Sequence, residues 1–184
     1  MNRFLKVAGE GLLSFKDPFE FNIADLERNT VLIEGINRDD PFSESNASGK
    51  SSFMEIIVLA AFGQLCRKGR YKDEAINKNS EVGQTQLEVE INGIVYGIDR
   101  EIRRKKEQIL KLSTIEQGIE QQITPDSSAT DKQKYINKLF GIDFTSFQCM
   151  NIFGRDFTTF PDLKPAERAT LISEIRGLDR FLVS

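Results

Sequence analysis

An α/β fold is predicted by three features of the 184-residue chain. The β-branched apolar run Thr30-Val31-Leu32-Ile33-Glu34-Gly35 leads through a polar loop to Asn46-Ala47-Ser48-Gly49-Lys50-Ser51-Ser52 and then to a helix-period pattern. An Asn92-Gly93 turn separates two cleanly alternating arms. A second helix-period pattern closes the chain after Pro165. With 39% hydrophobic and 29% charged side chains, the composition suits one well-cored domain and not two large ones.

Along the chain, residues 3–8 and 19–23 read as short strands of an opening meander, separated by Gly9-Glu10-Gly11 and Asp17-Pro18. The run at 30–35 reads as a buried strand that delivers the chain to a site. From Ser51 onward, Phe53, Ile56, Ile57, Ala60 and Ala61 share one helix face, ending near Gly63. Between 85 and 102, Leu87, Val89 and Ile91 alternate on one arm and Ile94, Tyr96 and Ile98 on the other. A type I′ turn at Asn92-Gly93 would set Ile91 opposite Ile94, Val89 opposite Tyr96 and Leu87 opposite Ile98. Residues 109–115 and 119–123 suggest another strand pair about Gln117-Gly118, followed by a Pro125-Asp126-Ser127-Ser128 loop. Thr130 with Gln133 forms a capping-box pattern for a helix over 131–140 stopped by Gly141, and Asp143 suits the cap of a short helix after it. Pro165 opens a helix lined by Leu171, Ile172, Ile175, Leu178 and Leu182.

Composition also narrows function. No apolar run approaches the roughly 18 to 20 residues that cross a bilayer, and Met1-Asn2-Arg3-Phe4 opens no signal-peptide core, so a cytoplasmic protein without membrane contact is expected. The chain has no histidine, and Cys66 and Cys149 lie far apart without a CxxC spacing, which argues against zinc chemistry and histidine-based catalysis. A net charge of -3 excludes a uniformly basic coat for nucleic acid but allows a local basic patch.

The stretch at 46–52 has the chemistry of a triphosphate site. Phosphate oxygens need converging backbone N–H donors, a mobile cation, and a hydroxyl that helps hold a metal. Asn46, Ala47, Ser48 and Gly49 supply the loop, Lys50 the cation for the β- and γ-oxygens, Ser51 a hydroxyl for Mg²⁺, and Ser52 continues into the helix whose positive end faces the site. A bare Gly-Lys-Ser would more often be a surface turn; the strand before it and the helix after it favour ATP with Mg²⁺. In the GxxxxGK[ST] spacing the first glycine falls at Glu44, with Gly35 nine residues earlier. Residues 36–44, including Arg38, Asp39, Asp40 and Pro41, therefore read as an insertion, with Glu44 turned away from the phosphates it would repel.

Several of these stretches resemble one family, the SbcC-type ATPases of double-strand break repair, and especially their phage relatives in recombination endonucleases. They are Gly35-Ile36-Asn37 through Ser52, Phe62-Gly63 with Arg67-Lys68-Gly69 and Ala75-Ile76-Asn77, and Tyr96-Gly97-Ile98-Asp99-Arg100. Near the end, Phe153-Gly154-Arg155-Asp156-Phe157, Phe160, Lys164-Pro165-Ala166-Glu167-Arg168 and Gly177-Leu178-Asp179 extend the resemblance to nearly the whole chain. Ala47 stands where the family usually has glycine. The resemblance implies an ABC-type, SMC-like ATPase head whose coiled coil separates two halves. On that pattern residues 1–163 form the N-terminal lobe with its antiparallel hairpin layer, and 164–184 the helix at the base of the coiled coil.

The same resemblance implies partners: a C-terminal half of the ATPase, an ATP-dependent homodimer around two nucleotides, an SbcD-type nuclease and double-stranded DNA ends, in a bacterial or phage-infected cell. The family's signature motif and Walker B carboxylates belong to the C-terminal half, and neither is found here, so no catalytic residue is assigned and little hydrolysis is expected from this chain alone. Arg155 falls at the Q-loop position, where the family uses a glutamine on magnesium and the attacking water; Gln148 takes that role only in a shifted register.

Other features have two readings. Arg100, Arg103, Arg104, Lys105 and Lys106 are candidate DNA-phosphate contacts or a solvated strand end, with Glu101 and Glu107 interleaved. Phe153, Phe157 and Phe160 fit core packing better than base stacking. Lys16, just after Ser14-Phe15, is a candidate phosphate contact against a default of surface lysine. The helix over 165–183 is a core helix or the root of a coiled coil. A different functional class remains, a nucleotide-gated adaptor in phage defence or counter-defence that binds ATP without turnover; a small P-loop kinase fits the long hairpins least.

Overall fold

Asn92 and Gly93 turn the chain with φ of 52° and 83°, the left-handed pair that a type I′ turn requires. They join β3 (Val82–Ile91) to β4 (Ile94–Arg103), with Ile91 opposite Ile94, Val89 opposite Tyr96 and Leu87 opposite Ile98 as the alternation predicts. The structure, a computed structural model, describes residues 2–26, 32–36, 49–66, 72–123, 127–151 and 159–176. Before the hairpin come β1 (Asn2–Glu10) and β2 (Phe19–Asn22); after it come β5 (Ile109–Glu116) and β6 (Ile119–Gln122), joined through Gln117-Gly118, again with positive φ at both residues. The six strands form one antiparallel sheet in the order β2-β1-β3-β4-β5-β6.

One face of the sheet carries the core. Val7, Leu87, Val89, Ile91, Ile98, Ile102, Leu110 and Leu112 are buried there against Ile56, Val58 and Leu59 of α1 (Lys50–Phe62) and Ile136 of α2 (Ala129–Phe140). Each such aliphatic side chain contributes about 1.5 to 3 kcal/mol on leaving water. Phe62 packs on Phe140, Phe144 and Phe147, tying α1 to α2 and to α3 (Phe144–Asn151). The Asp143 carboxylate accepts from the Ser146 N–H at 2.8 Å, capping α3 as expected. Finally α4 (Pro165–Arg176) follows a single 3₁₀ turn at Phe160–Asp162.

The C-terminal end of α1 is closed by side chains from elsewhere in the chain. A helix leaves its last four carbonyls without partners. Here the Gly63 N–H reaches Leu59 O at 2.8 Å, the Arg100 guanidinium reaches Ala60 O at 3.1 Å, and the Gln133 amide reaches Ala61 O at 3.1 Å. Arg100 also donates to Gln108 Oε1 at 2.9 Å and Gln133 Oε1 at 2.7 Å, and it is only 1% exposed. Gly63 has no room for a side chain: a Cβ would lie 2.6 Å from Arg100 Nη1, on a residue with φ of +69°.

Four expectations are corrected. Arg100 belongs to the core and not to the basic run at the hairpin end, because β4 turns residues 96, 98, 100 and 102 to the same buried face. The cap of α2 is Ser128 and not Thr130: Ser128 Oγ accepts from the Asp131 N–H at 3.1 Å, and Gln133 is thereby left for Arg100 and Ala61. The buried strand at 30–35 is not formed in the part described; residues 32–36 join no ladder, and Leu32 and Ile36 are 81% and 78% exposed. A buried strand needs neighbours, and β2 pairs only with β1 among the described residues. Phe160 is a surface residue, 40% exposed at the start of its 3₁₀ turn.

The opposite face of the sheet is polar. Lys6 bridges Glu20 and Glu88 at 3.5 and 2.9 Å. Nearby, burial and then the Glu120 and Glu88 carboxylates hold the Asp99 carboxyl above its ordinary range, outweighing Lys111 and Lys6. A raised folded-state value means that the folded chain binds the proton more tightly than the unfolded one. Stability from this group is therefore present at acid pH and is lost as pH rises through the window above the ordinary carboxylate range. Asp99→Asn is expected to raise the melting temperature slightly at neutral pH and to flatten its decline between acid and neutral pH, measured by thermal denaturation across that range.

Among the described residues no helix is long and apolar enough to cross a membrane.

Candidate nucleotide-binding site

The site is built at the start of α1. Gly49 precedes the helix in the left-handed region, φ 88°, and its carbonyl accepts from the Phe53 N–H at 2.9 Å, so the first helical turn is formed directly after it. Among the described residues no side chain caps this end of the helix. Its first N–H groups and the positive end of its dipole are the elements that recognise an anion. Lys50 and Ser51 occupy the first two helical positions; Ser51 is exposed and Lys50 half-buried.

A second wall comes from the segment between β1 and β2. Leu12 and Phe15 close a tight turn through paired backbone hydrogen bonds of 2.8 and 2.7 Å. The turn brings Ser14 Oγ to 2.9 Å from Ser52 Oγ, and the Phe15 ring and Ser14 Cβ stand 3.6 Å from where a Cβ on Gly49 would lie. Lys16 sits at the exposed end of this turn, where its backbone carbonyl accepts from Gly11 N–H at 3.1 Å. Phe15 stacks obliquely on Phe19, and Phe21 meets Phe53 edge-on, which fixes the turn to the first turn of α1. Phe15, Phe21, Ile33, Glu34, Gly49, Lys50 and Phe53 line a mostly apolar hollow of about 220 Å³. Larger space, about 370 Å³, lies across the strands at Gly9, Phe19 and Gln84, but among the described residues no lysine or arginine lines it.

Lys50, Ser51 and Ser52 of the sequence motif lie at the start of α1, and Ser14 as the partner of Ser52 carried no sequence signal beyond its nearness to Lys16. Asn46, Ala47, Ser48 and residues 37–44 of the insertion lie outside the described residues, as do Arg155, Phe153 and Phe157. Gln148 is buried, and its amide donates to the Cys66 carbonyl. Cys66 follows the C-terminal end of α1, while Lys50 opens its N-terminal end, and a helix of 13 residues is about 20 Å long. Gln148 is therefore not brought to Ser51. Burial, with a smaller contribution from Glu55, pushes the Cys66 thiol up to about 12, so it is no nucleophile at neutral pH.

The basic hairpin end is partly engaged within the chain. Arg103 pairs with Glu101, Arg104 donates to the Ile76 and Asn77 carbonyls at 3.3 and 3.2 Å, and the Lys105 N–H reaches Asp73 at 2.9 Å. The side chains of Lys105 and Lys106 are exposed.

Residues 6–180 match a family described as AAA domain. Over 173 residues the chain is 24% identical to the SbcC component of the nuclease SbcCD of Deinococcus radiodurans, covering 92% of this chain and 18% of that protein. It is 28% identical over 148 residues to the DNA double-strand break repair Rad50 ATPase of Sulfolobus acidocaldarius, covering 77% of this chain and 16% of that one. The Rad50 ATPase of Methanocaldococcus jannaschii is also 28% identical, over 139 residues, 74% of this chain and 13% of the relative. The chain thus spans 13 to 18% of the length of these relatives. Among solved structures, the recombination mediator protein RecF with ATP aligns with 68% of this chain and 29% of its own, at 17% identity and a TM-score of 0.43. With a match over residues 6–180, the chain belongs to the AAA domain family, and SbcC and Rad50 ATPases are among its relatives.

Proposed function

We propose that this chain is the ATP- and Mg²⁺-binding N-terminal part of an SbcC-type ATPase head that controls a nuclease at DNA ends. The observation that carries the reading is the start of α1, uncapped among the described residues, where Gly49, Lys50 and Ser51 meet the turn that holds Ser14 on Ser52. Backbone N–H groups and Lys50 bind the phosphates, and the apolar hollow beside Phe15 and Phe21 takes the flat face of the base. The exposed Ser51 hydroxyl fits a hard cation, so Ser51 and phosphate oxygens would hold Mg²⁺, which supplies neutralisation of the β- and γ-phosphate charge.

Leu32, Ile33 and Ile36 support the second part of the reading. They form an apolar segment beside the site that no strand covers among the described residues, suited to pairing with strands of a C-terminal half. That half would bring the carboxylate that activates water, and through it the homodimer, the nuclease and DNA ends would be engaged. Phosphate release tests this directly. The chain alone is expected to hydrolyse ATP at background rate, with turnover appearing when the C-terminal segment of an SbcC-type head is co-expressed and disappearing again in Lys50→Ala. Rapid turnover by the chain alone would refute the division of the site into two walls.

A further inference from the structure

Leu13 lies between the two residues that close the 12–15 turn and has φ of 49°, a left-handed conformation that costs a non-glycine residue about 1 kcal/mol or more. Something must hold it. Its N–H donates to Ala75 O at 2.7 Å, and its carbonyl accepts from the Asn77 side-chain amide at 2.7 Å. Asn77 is fully engaged around that contact. Its backbone N–H reaches Gly11 O at 2.9 Å, its Oδ1 accepts from Asn79 N–H at 2.9 Å, and its carbonyl accepts from Ser80 N–H at 3.0 Å and from Arg104 at 3.2 Å. Leu12 also bridges to Ile76. The Asn77 side-chain amide, together with the backbone bond to Ala75, therefore secures a strained residue next to Ser14 and Phe15, the two residues that meet Gly49 and Ser52.

We propose that Asn77 is a positioning residue for the nucleotide: it holds the 12–15 turn against the start of α1, so that Ser14 and Phe15 form a fixed wall of the phosphate and base site. Arg104, donating to the carbonyls of Ile76 and Asn77, belongs to the same clamp. The inference rests on the nucleotide-binding reading above. It assigns affinity to a residue that touches no ligand and acts by removing the freedom of the turn, an ordering cost that would otherwise be met on binding.

The test is ATP-Mg²⁺ affinity by titration, on variants confirmed folded by circular dichroism and held well below their melting temperatures. Asn77→Ala is expected to weaken binding about tenfold, the equilibrium scale of one lost hydrogen bond. Asn77→Asp, which keeps the size and the acceptor for Asn79 while removing the donor to Leu13, is expected to show a loss of the same size and serves if the alanine variant does not fold. Leu13→Gly added to either variant is expected to restore none of the loss, because glycine relieves the strain but widens the freedom of the turn that Asn77 limits and removes a side chain packed against the core. Ile98→Val, a core change costing a comparable 0.5 to 1.5 kcal/mol, roughly, is expected to leave affinity within about twofold. If both Asn77 variants bind as tightly as the parent while Lys50→Ala does not, Asn77 is not a positioning residue and the proposal is overturned. If Leu13→Gly restores the affinity of the Asn77 variants, Asn77 acts only on the strain at Leu13 and not on the freedom of the turn, and the proposal is likewise overturned. If Lys50→Ala itself binds like the parent, the nucleotide reading fails independently.

Discussion

Lys50→Ala is expected to weaken ATP-Mg²⁺ binding by about 30- to 1000-fold, the range that follows from losing about 2 to 4 kcal/mol of charge-assisted contact. Three circumstances place this effect among the largest available to a single side chain here. Lys50 is the first residue of α1, at the end of the helix where the N–H groups and the positive end of the dipole favour an anion. It is half-buried against the hollow formed with Phe15, Phe21 and Phe53, and a partly desolvated charge pair is screened less than one in open water. The chain contains no histidine that might substitute as a second cation, and Lys16 is exposed on the far end of its turn. The folded state should be little affected, since α1 is held chiefly by Ile56, Val58 and Leu59, buried further along the helix. Equilibrium titration, with a thermal melt of the same sample, separates the two.

Arg100→Met is expected to lower stability by about 3 kcal/mol, or a fall in melting temperature of roughly 6 to 12 °C for a domain of this size. Burial depresses the guanidinium value to about 10, yet at neutral pH the group stays charged, with carbonyl and amide oxygens in place of a carboxylate partner. Removing it relieves the cost of burying a charge but leaves Ala60 O, Gln108 Oε1 and Gln133 Oε1 without their donor inside the protein, and each orphaned acceptor costs about 1 to 3 kcal/mol. The acceptors outnumber the relief, which fixes the sign. The loss would be spread over α1, β4 and α2, because the Arg100 side chain, from β4, bonds to both helices. Arg100→Lys, with one ammonium in place of the fork, should fall between the parent and the methionine variant. A methionine variant as stable as the parent in urea denaturation would show that the carbonyl end of α1 is satisfied some other way.

Legibility in the sequence followed how local each determinant is. The β3–β4 register was legible because Asn92-Gly93 fixes a two-residue turn and alternation then assigns every partner. The start of α1 was legible because the phosphate motif and helix periodicity meet at Lys50. Arg100 was misread, although a signal was available. Its parity with Tyr96, Ile98 and Ile102 turns it inward, and that periodicity outweighs membership of a basic run. The cap of α2 was misplaced by two residues since Ser128 and Thr130 both offer a hydroxyl, and only the geometry of Asp131 N–H chooses between them. The run at 30–35 has the composition of a buried strand, but composition cannot say which chain supplies its neighbours. Ser14 and Asn77 were out of reach for the same reason in reverse: their importance comes from contacts 38 and 64 residues away, set by the packing of the turn against α1 and the segment before β3.

The most direct measurement is calorimetric titration of the chain with ATP, in the presence of Mg²⁺ and again with the metal chelated. A nucleotide site at the start of α1 predicts saturable binding of one ATP per chain that weakens on chelation. No saturable binding up to millimolar ATP, by a chain whose thermal melt shows it folded, would contradict that site.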